Sequence, residues 1–229
     1  MRGVFVTGTD TEVGKTVVAC TIAATLACRG ERVATFKPAV TGLSESAAAA
    51  PDHELLRSSA GSAQPAEAVS PYRFGPAVSP HLAAELAGIH IAPSHLVAGA
   101  ESAAANADAL VVEGVGGLLV PLHERYLVRD FATELGLPVV VAARPGLGTI
   151  NHTLMTLECA RNAGLYVAAV VLTPWGRFPS EMQRSNRRTI ELLGEVETFG
   201  LPHLDAADGF GPVRALPADR WVGQLVPVG

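Results

Sequence analysis

Gly14, Lys15 and Thr16 stand together at the start of a helical segment. They follow the apolar run Gly3–Thr7 and a turn of Gly and Thr. That order suits one task. Backbone N–H groups of such a turn and of a helix N-terminus converge on a polyphosphate. Lys15 then brings a cation to the β- and γ-phosphates, and the Thr16 hydroxyl ligates Mg²⁺. The usual spacing is Gly, four residues, then Gly-Lys-Ser/Thr. Here Thr9 takes the first-glycine position and Gly8 lies one residue earlier. The strand before and the helix after set this Gly-Lys-Thr apart from a chance tripeptide.

Two further residues stand where open parallel sheets place their ligands, just past a strand's C-terminal end. Lys37 follows Arg32–Phe36 and precedes Pro38 and a Thr-Gly turn. With Lys15 it gives two cations near a transferring phosphoryl group, a step that depends on positioning and charge neutralisation. Glu113 ends the run Ala109–Glu113, where a carboxylate completes a Mg²⁺ shell. Gly114, Gly116 and Gly117 let backbone approach a ligand there. Asp52 precedes a helical segment; it reads as a Mg²⁺ ligand or as a plain N-cap, with Glu54 close enough to take its part. Gly148-Thr-Ile-Asn151 opens another helix, whose free N–H groups suit an anion; an N-cap by Thr149 is compatible. His81 and His152 read as packing or capping residues, and His90 and His95 as surface.

Positioning these residues needs strands that alternate with helices. Strands are expected at Gly3–Thr7, Arg32–Phe36, Ala109–Glu113, Pro138–Ala143, Tyr166–Leu172 and Val196–Leu201. Helices are expected at Gly14–Arg29, Ser94–Ala105, Thr149–Ala163 and Ser180–Leu193, with Gly30 and Gly164 as stops. Ser44–Pro51 reads as a mobile loop, and Pro65–Pro80, with four prolines, as irregular. The pattern gives an α/β chain: a single-domain, three-layer fold over residues 1–229, its mostly parallel sheet covered by helices on both faces.

Composition narrows the partners. The net charge is −5 and the pI near 5.8, with no Lys/Arg stripe. Neither a nucleic acid nor an anionic membrane surface suits such a chain. Hydrophobic residues make up 48% and charged ones 17%, which excludes a disordered polymer. Aromatics are only 5%, so the core must rest on Val, Leu, Ile and Ala. Cys20, Cys28 and Cys159 read as buried small hydrophobes in a reducing compartment. No CxxC or His/Cys cluster suggests zinc. The apolar stretch within Met1–Asp10 is too short for a signal-peptide core, and Val17–Cys28 is stopped by Arg29. A cytoplasmic protein is expected.

The run Thr7-Gly-Thr-Asp-Thr-Glu-Val-Gly-Lys-Thr16 is similar to the opening signature of the dethiobiotin synthetase family, shifted glycine included. Lys37-Pro-Ala-Val-Thr-Gly42, Ser79-Pro-His81, Glu113-Gly-Val-Gly-Gly-Leu118 and Leu147-Gly-Thr-Ile-Asn-His152 resemble further motifs of that family, in order. The resemblance implies a Mg²⁺- and ATP-dependent cyclo-ligase. It inserts CO2 (or bicarbonate) between the two amines of 7,8-diaminononanoate and closes a cyclic urea. A carbamate forms first, attacks the γ-phosphate, and the resulting mixed anhydride is opened by the second amine.

Site roles follow from that resemblance. Lys37, Lys15 and Thr11 are catalytic. Thr16, Asp52 and Glu113 hold the metal. The nucleotide lies on Glu12, Val13, Gly14, Lys15, Thr16, Val17, Asp52, Glu113, Gly114, Val115 and Gly116. Its base lies between Thr173–Pro174 and Pro202-His203-Leu204. The diamine and its carbamate meet Thr11, Glu12, Lys37, Thr41, Gly116 and Gly117. The substrate carboxylate takes Gly148, Thr149, Ile150 and Asn151 across a homodimer interface. One departure stands out: the family's Asn-containing base-reading turn is replaced by Thr173-Pro-Trp-Gly-Arg177. Base preference beyond ATP is therefore open. A partitioning-type P-loop ATPase is the main rival, but it carries a second lysine where this chain has Asp10. A cobalamin-pathway amidotransferase would need a glutaminase domain for which the chain has no room. A degenerate nucleotide-binding paralogue would not keep Lys15, Thr16, Lys37 and Glu113 intact.

Overall fold

The computed structural model describes residues 1–45, 50–204, 210 and 218–221. The chain runs β1 (Gly3–Gly8), α1 (Lys15–Ala27), β2 (Val33–Phe36), β3 (Ala39–Val40), α2 (Asp52–Ser59), α3 (Ala66–Val69), β4 (Tyr72–Arg73), α4 (Pro80–Ala87) and α5 (Pro93–Ala104). It continues β5 (Ala109–Glu113), β6 (Pro121–His123), β7 (Tyr126–Leu127), α6 (Val128–Leu135), β8 (Val139–Ala143), α7 (Thr149–Asn162), β9 (Val167–Leu172), α8 (Glu181–Gly194), β10 (Thr198–Gly200) and α9 (Ala218–Trp221).

Six strands form one parallel sheet in the order β10-β9-β8-β1-β5-β2. β1 pairs with β5 on one side and β8 on the other, so the winding reverses there. Ligands of open sheets bind at such a reversal, beyond the carboxyl ends of the strands. β1, β5 and β8 are buried on both faces, which is why they read as unbroken apolar runs.

Alternate residues of each strand enter opposite core layers. Val4, Val6, Val111 and Val140 pack with Val18, Ile22 and Leu26 of α1 and Leu56 of α2. Phe5, Leu110, Val139 and Val141 pack with Leu96 of α5, Phe131 of α6, Leu157 of α7 and Ile190 of α8. Aliphatic residues fill most of both layers. Among the aromatic exceptions, the Phe131 ring lies 6.0 Å from both Phe5 and Phe36.

Four expectations need correction. Pro65–Pro80 is not wholly irregular: α3 and β4 lie inside it, and β4 pairs in parallel with β3. Its prolines sit where no N–H is needed, Pro65 at the N-cap of α3 and Pro80 at the first turn of α4. Helices α4 and α6, each of eight residues, were not expected, although Val128, Phe131, Ala132 and Leu135 of α6 stand at helical spacing. The last strand spans Thr198–Gly200 rather than Val196–Leu201. Of the cysteines only Cys20 is buried; Cys28 is exposed at the C-cap of α1 and Cys159 half-buried on α7. In the Ser44–Pro51 loop, residues 46–49 lie outside the described residues. No helix among the described residues is long and apolar enough to cross a membrane.

Candidate active site

β1 delivers the chain to its C-terminal edge at Gly8, and residues 9–14 turn it into α1. Thr9 N–H bonds Ala142 O at 3.0 Å, tying the turn to β8. The shifted glycine has a steric reason. A Cβ on Gly8 would lie 2.7 Å from Val13 Cγ2 and 3.0 Å from Lys15 Cδ, so the turn folds back on that residue. Gly14, the N-cap of α1, has φ 90°, a conformation that costs little only for glycine. Glu12 is also left-handed, at φ 56°, and its side chain is exposed with that of Thr11. The Lys15 ammonium donates to Asp10 O at 2.7 Å. Burial lowers its pKa from the ordinary lysine value, against the pull of Glu113.

Four side chains meet beside this turn. Thr16 Oγ1 lies 2.9 Å from Glu113 Oε1 and 3.1 Å from Asp52 Oδ1, its proton serving one carboxylate at a time. Lys37 Nζ donates to Glu113 Oε1 at 2.6 Å and to Asp52 Oδ2 at 2.5 Å. They come from α1, β5, α2 and the end of β2, and span nearly 100 positions of sequence. Burial alone would lower the Lys37 pKa; Glu113 and Asp52 outweigh it and hold the ammonium above the ordinary lysine range. Burial likewise opposes Asp52 ionisation, yet Lys37 holds its carboxyl below the usual range.

Asp52, and not Glu54, meets Thr16 and Lys37. It is the first residue of α2, behind the N-cap Pro51, so it does not cap the helix with its side chain. Glu54 turns away to Arg57, at 2.6 Å. The donor set of two carboxylates and a hydroxyl suits a hard divalent cation such as Mg²⁺. Glu113 Oε2 adds a specific mark: it is buried without a hydrogen-bond partner, an acceptor that a cation would satisfy.

Glycines of the β5–β6 segment approach the same turn. Gly114 N–H bonds Val6 O at 2.8 Å, and the Cα of Gly117 passes close to Gly8 O. Gly116 lies beside Thr11, and Val115 is half-buried next to it. Thr41 is half-buried after β3, and Val17 half-buried on α1. A cleft of about 360 Å³ separates Gly8–Asp10 and Gly117–Leu119 from His152, Met155 and Cys159 of α7. His152 is thus exposed on a cleft wall. His81 is exposed on α4; the His90 ring meets His123 at 4.0 Å and the His95 ring meets Tyr72.

The far end of α7 opens at Gly148, φ 89°. Thr149 provides no side-chain cap; its hydroxyl faces Thr153 at 3.4 Å and its N–H bonds Gly146 O at 3.3 Å. Ile150 is half-buried and Asn151 exposed. The two loops expected to flank the base meet at the edge of the sheet. Trp175 N–H bonds Leu201 O at 2.7 Å, joining Thr173–Pro174 to Pro202-His203-Leu204. Trp175 packs on the backbone of Gly200, and buried Thr173 packs on Gly14. Pro174, Pro202 and His203 are exposed.

Sequence reasoning missed Arg144. It follows β8 as Lys37 follows β2, and its guanidinium donates to Thr11 O at 3.2 Å. The rule that found Lys37 and Glu113 would have found it too.

Comparison with known proteins adds the family. A family profile described as an AAA domain matches residues 2–208. The ATP-dependent dethiobiotin synthetase BioD of Anaeromyxobacter dehalogenans (strain 2CP-C) is 46% identical over 201 residues, 88% of this chain and 89% of that one. The protein of the same name from Bacillus subtilis (strain 168) is 36% identical over 88% of this chain and 87% of that one. This chain belongs to the dethiobiotin synthetase family. Its class is therefore that of a ligase, and its fold the P-loop α/β fold. Solved structures agree on the fold. The septum site-determining protein MinD complexed with Mg-ADP, from Pyrococcus horikoshii OT3, superposes with TM-score 0.56 at 17% identity, covering 96% of this chain and 88% of that one. The cell division protein FtsY from Thermotoga maritima gives 0.51 at 14% identity, over 96% of this chain and 67% of that one. Of the motifs quoted above, those around Gly8, Lys37 and Glu113 follow strands of the sheet, Ser79-Pro-His81 opens α4 and Gly148–Asn151 opens α7.

Proposed function

We propose that this chain is a Mg²⁺-dependent dethiobiotin synthetase that carboxylates 7,8-diaminononanoate with CO2 and closes the cyclic urea at the expense of a nucleoside triphosphate. The observation that carries this reading is the meeting of Thr16, Lys37, Asp52 and Glu113 at one point beside Lys15. Thr16, Asp52 and Glu113 would hold Mg²⁺, which supplies charge neutralisation to the phosphates when bound. Lys15 and Lys37 place two ammonium groups on the phosphoryl oxygens. Both lie in a buried setting, where charge stabilisation is strong.

The reaction asks little covalent chemistry of the protein. A neutral amine of the substrate takes up CO2 as a carbamate and loses a proton. The carbamate oxygen attacks the γ-phosphate and the nucleoside diphosphate leaves. The second amine attacks the carbonyl and phosphate leaves with closure of the ring. Thr11, Glu12, Thr41, Gly116 and Gly117 form the wall against which the carbamate is held. Gly148, Thr149, Ile150 and Asn151 offer a helix N-terminus to the substrate carboxylate. We read this as contributed across a homodimer interface; Leu119, Leu147 and Met155, exposed at 59%, 93% and 53%, give that surface apolar contacts. Residues 1–229 are read as one domain, working in the cytoplasm without nucleic-acid or membrane partner.

The partitioning-ATPase reading has less support. Asp10 stands where those proteins would carry a second lysine, and its backbone carbonyl receives the Lys15 ammonium. Phosphate release with MgATP, bicarbonate and diaminononanoate, each omitted in turn, tests the proposal. Diamine-dependent release with a cyclic urea seen by mass spectrometry is the expected result. Diamine-independent hydrolysis would overturn it.

A further inference from the structure

Helix α8 meets the rest of the fold along a buried stripe, Asn186, Ile190 and Gly194. Ile190 and Gly194 suit a helix–helix seam. Asn186 does not, because an unpaired amide at 7% exposure is costly. It is paired with care. Nδ2 donates to Pro145 O and to Gly146 O, each at 3.2 Å. An amide nitrogen has two hydrogens, and both are used.

Those carbonyls belong to the turn between β8 and α7. Gly146 O receives a second donor, the N–H of Thr149, so one carbonyl links Asn186 to the first residue of α7. Between Pro145 and Thr149 no side chain anchors the turn, since Leu147 is 93% exposed between two glycines. Pro145 and Thr149 are buried at its two ends, and hydrogen bonds to its carbonyls hold the stretch between. Ile150 and Asn151 follow within the first helical turn, where N–H groups lack intrahelical acceptors.

We propose that Asn186 is a positioning residue. By fixing the Pro145 and Gly146 carbonyls it aims the first amides of α7 and so sets affinity for the anionic end of the organic substrate. This rests on the reading that α7 receives the substrate carboxylate. The phosphate loop has anchors of its own in β1, α1 and the Thr9–Ala142 bond, and Arg144, which donates to Thr11 O, precedes the turn that Asn186 holds. The side chain required is narrow. Asp has the same length but no hydrogen to give, and sets a charge against two carbonyl oxygens. Leu fills the volume and donates nothing.

Steady-state kinetics of Asn186→Leu and Asn186→Asp test this against wild type. Losing two hydrogen bonds should raise KM for diaminononanoate about tenfold while KM for MgATP stays within about twofold. Asn186→Gln, which keeps both donors, should recover part of the loss. Hydrogen exchange gives a second readout: peptides covering 144–152 exchange faster in Asn186→Leu, and peptides covering β1 do not. An unchanged KM for the diamine, or both KM values rising together, overturns the proposal. If wild type shows no diamine-dependent phosphate release, it is the functional reading that has failed. The exchange of 144–152 then decides whether Asn186 holds the turn, and unchanged exchange would sink that too.

Discussion

Lys37 Nζ donates to Glu113 Oε1 at 2.6 Å, and both residues are buried, at 4% and 1% exposure. The same ammonium reaches Asp52. It therefore holds together two carboxylates that would otherwise repel each other in a water-poor setting. The pair is also the joint between β2 and β5 at the carboxyl edge of the sheet.

Lys37→Gln is the direct test of that ammonium. Turnover should fall by about 100-fold or more, as when one stabilising donor is removed from a transition state. Nucleotide affinity should stay within about threefold, since Lys15 and the loop amides remain. Isothermal titration beside single-turnover kinetics separates the two. An equal loss of nucleotide binding would remove Lys37 from the chemical step.

Thr16→Val keeps shape and removes the hydroxyl oxygen proposed to bind the metal. The Mg²⁺ concentration for half-maximal activity should rise by about tenfold or more, a typical cost of weakening a metal site. Nucleotide binding measured in EDTA should not change. A Mg²⁺ titration of wild type and variant decides the matter; coincident curves would exclude the hydroxyl as ligand.

Gly14→Ala meets two obstacles. Its φ of 90° penalises any Cβ, and that Cβ would lie 2.4 Å from Thr173 Cγ2. The left-handed conformation alone costs about 1–2 kcal/mol. Urea unfolding should show at least that loss. Adding Thr173→Ser removes the Cγ2 contact and should restore only the steric part. Full recovery in the double variant would show that the backbone is not strained.

Thr173-Pro174-Trp175 presents no side-chain amide to a base. Trp175 is taken up by packing on Gly200, and the Thr173 methyl by packing on Gly14. Strong discrimination needs hydrogen bonds that a wrong ligand leaves unpaired. The kcat/KM values for ATP, CTP and GTP should thus lie within about tenfold of one another, where a base-reading site can separate ligands by about 10⁴-fold. A separation of that larger size for ATP would mean that backbone groups or His203 read the base.

Asp108 and Arg32 join the amino ends of β5 and β2, at the end of the seam away from the site. Asp108 accepts from Arg32 Nη2 at 2.7 Å and from Arg32 N–H at 2.9 Å, which holds its carboxyl at about 2. A depressed carboxylate pKa stabilises the fold above its unfolded value of about 3.9, and the effect fades as pH falls towards the folded value. The stability lost in Asp108→Asn should be seen at pH 7 and shrink between pH of about 4 and about 2. Urea midpoints across that range measure it. A difference that grows on acidification would contradict the assignment.

The sequence alone determined the strand–loop–helix at Gly3–Arg29, because a period change and Gly-Lys-Thr mark it within one short window. It determined the buried parallel strands, whose apolar runs need no partner to be seen. Lys37 and Glu113 were legible for the same reason: each follows such a run. What only the tertiary structure decided is which distant groups share a point. Thr16, Asp52 and Glu113 come from three elements, and no local pattern fixes their mutual distance. That Asp52 rather than Glu54 reaches Thr16 and Lys37 follows from the start of α2 behind Pro51 and from Arg57 pairing with Glu54. Arg144 was legible by the strand-end rule and was passed over; Asn186 was not, because its partners are backbone carbonyls, and carbonyls look alike in every sequence. The short helices α4 and α6 were missed, although Val128, Phe131, Ala132 and Leu135 carry the spacing of α6 in the sequence. Packing against Phe5 and Phe36 is what makes α6 a helix, and that contact is made across the fold.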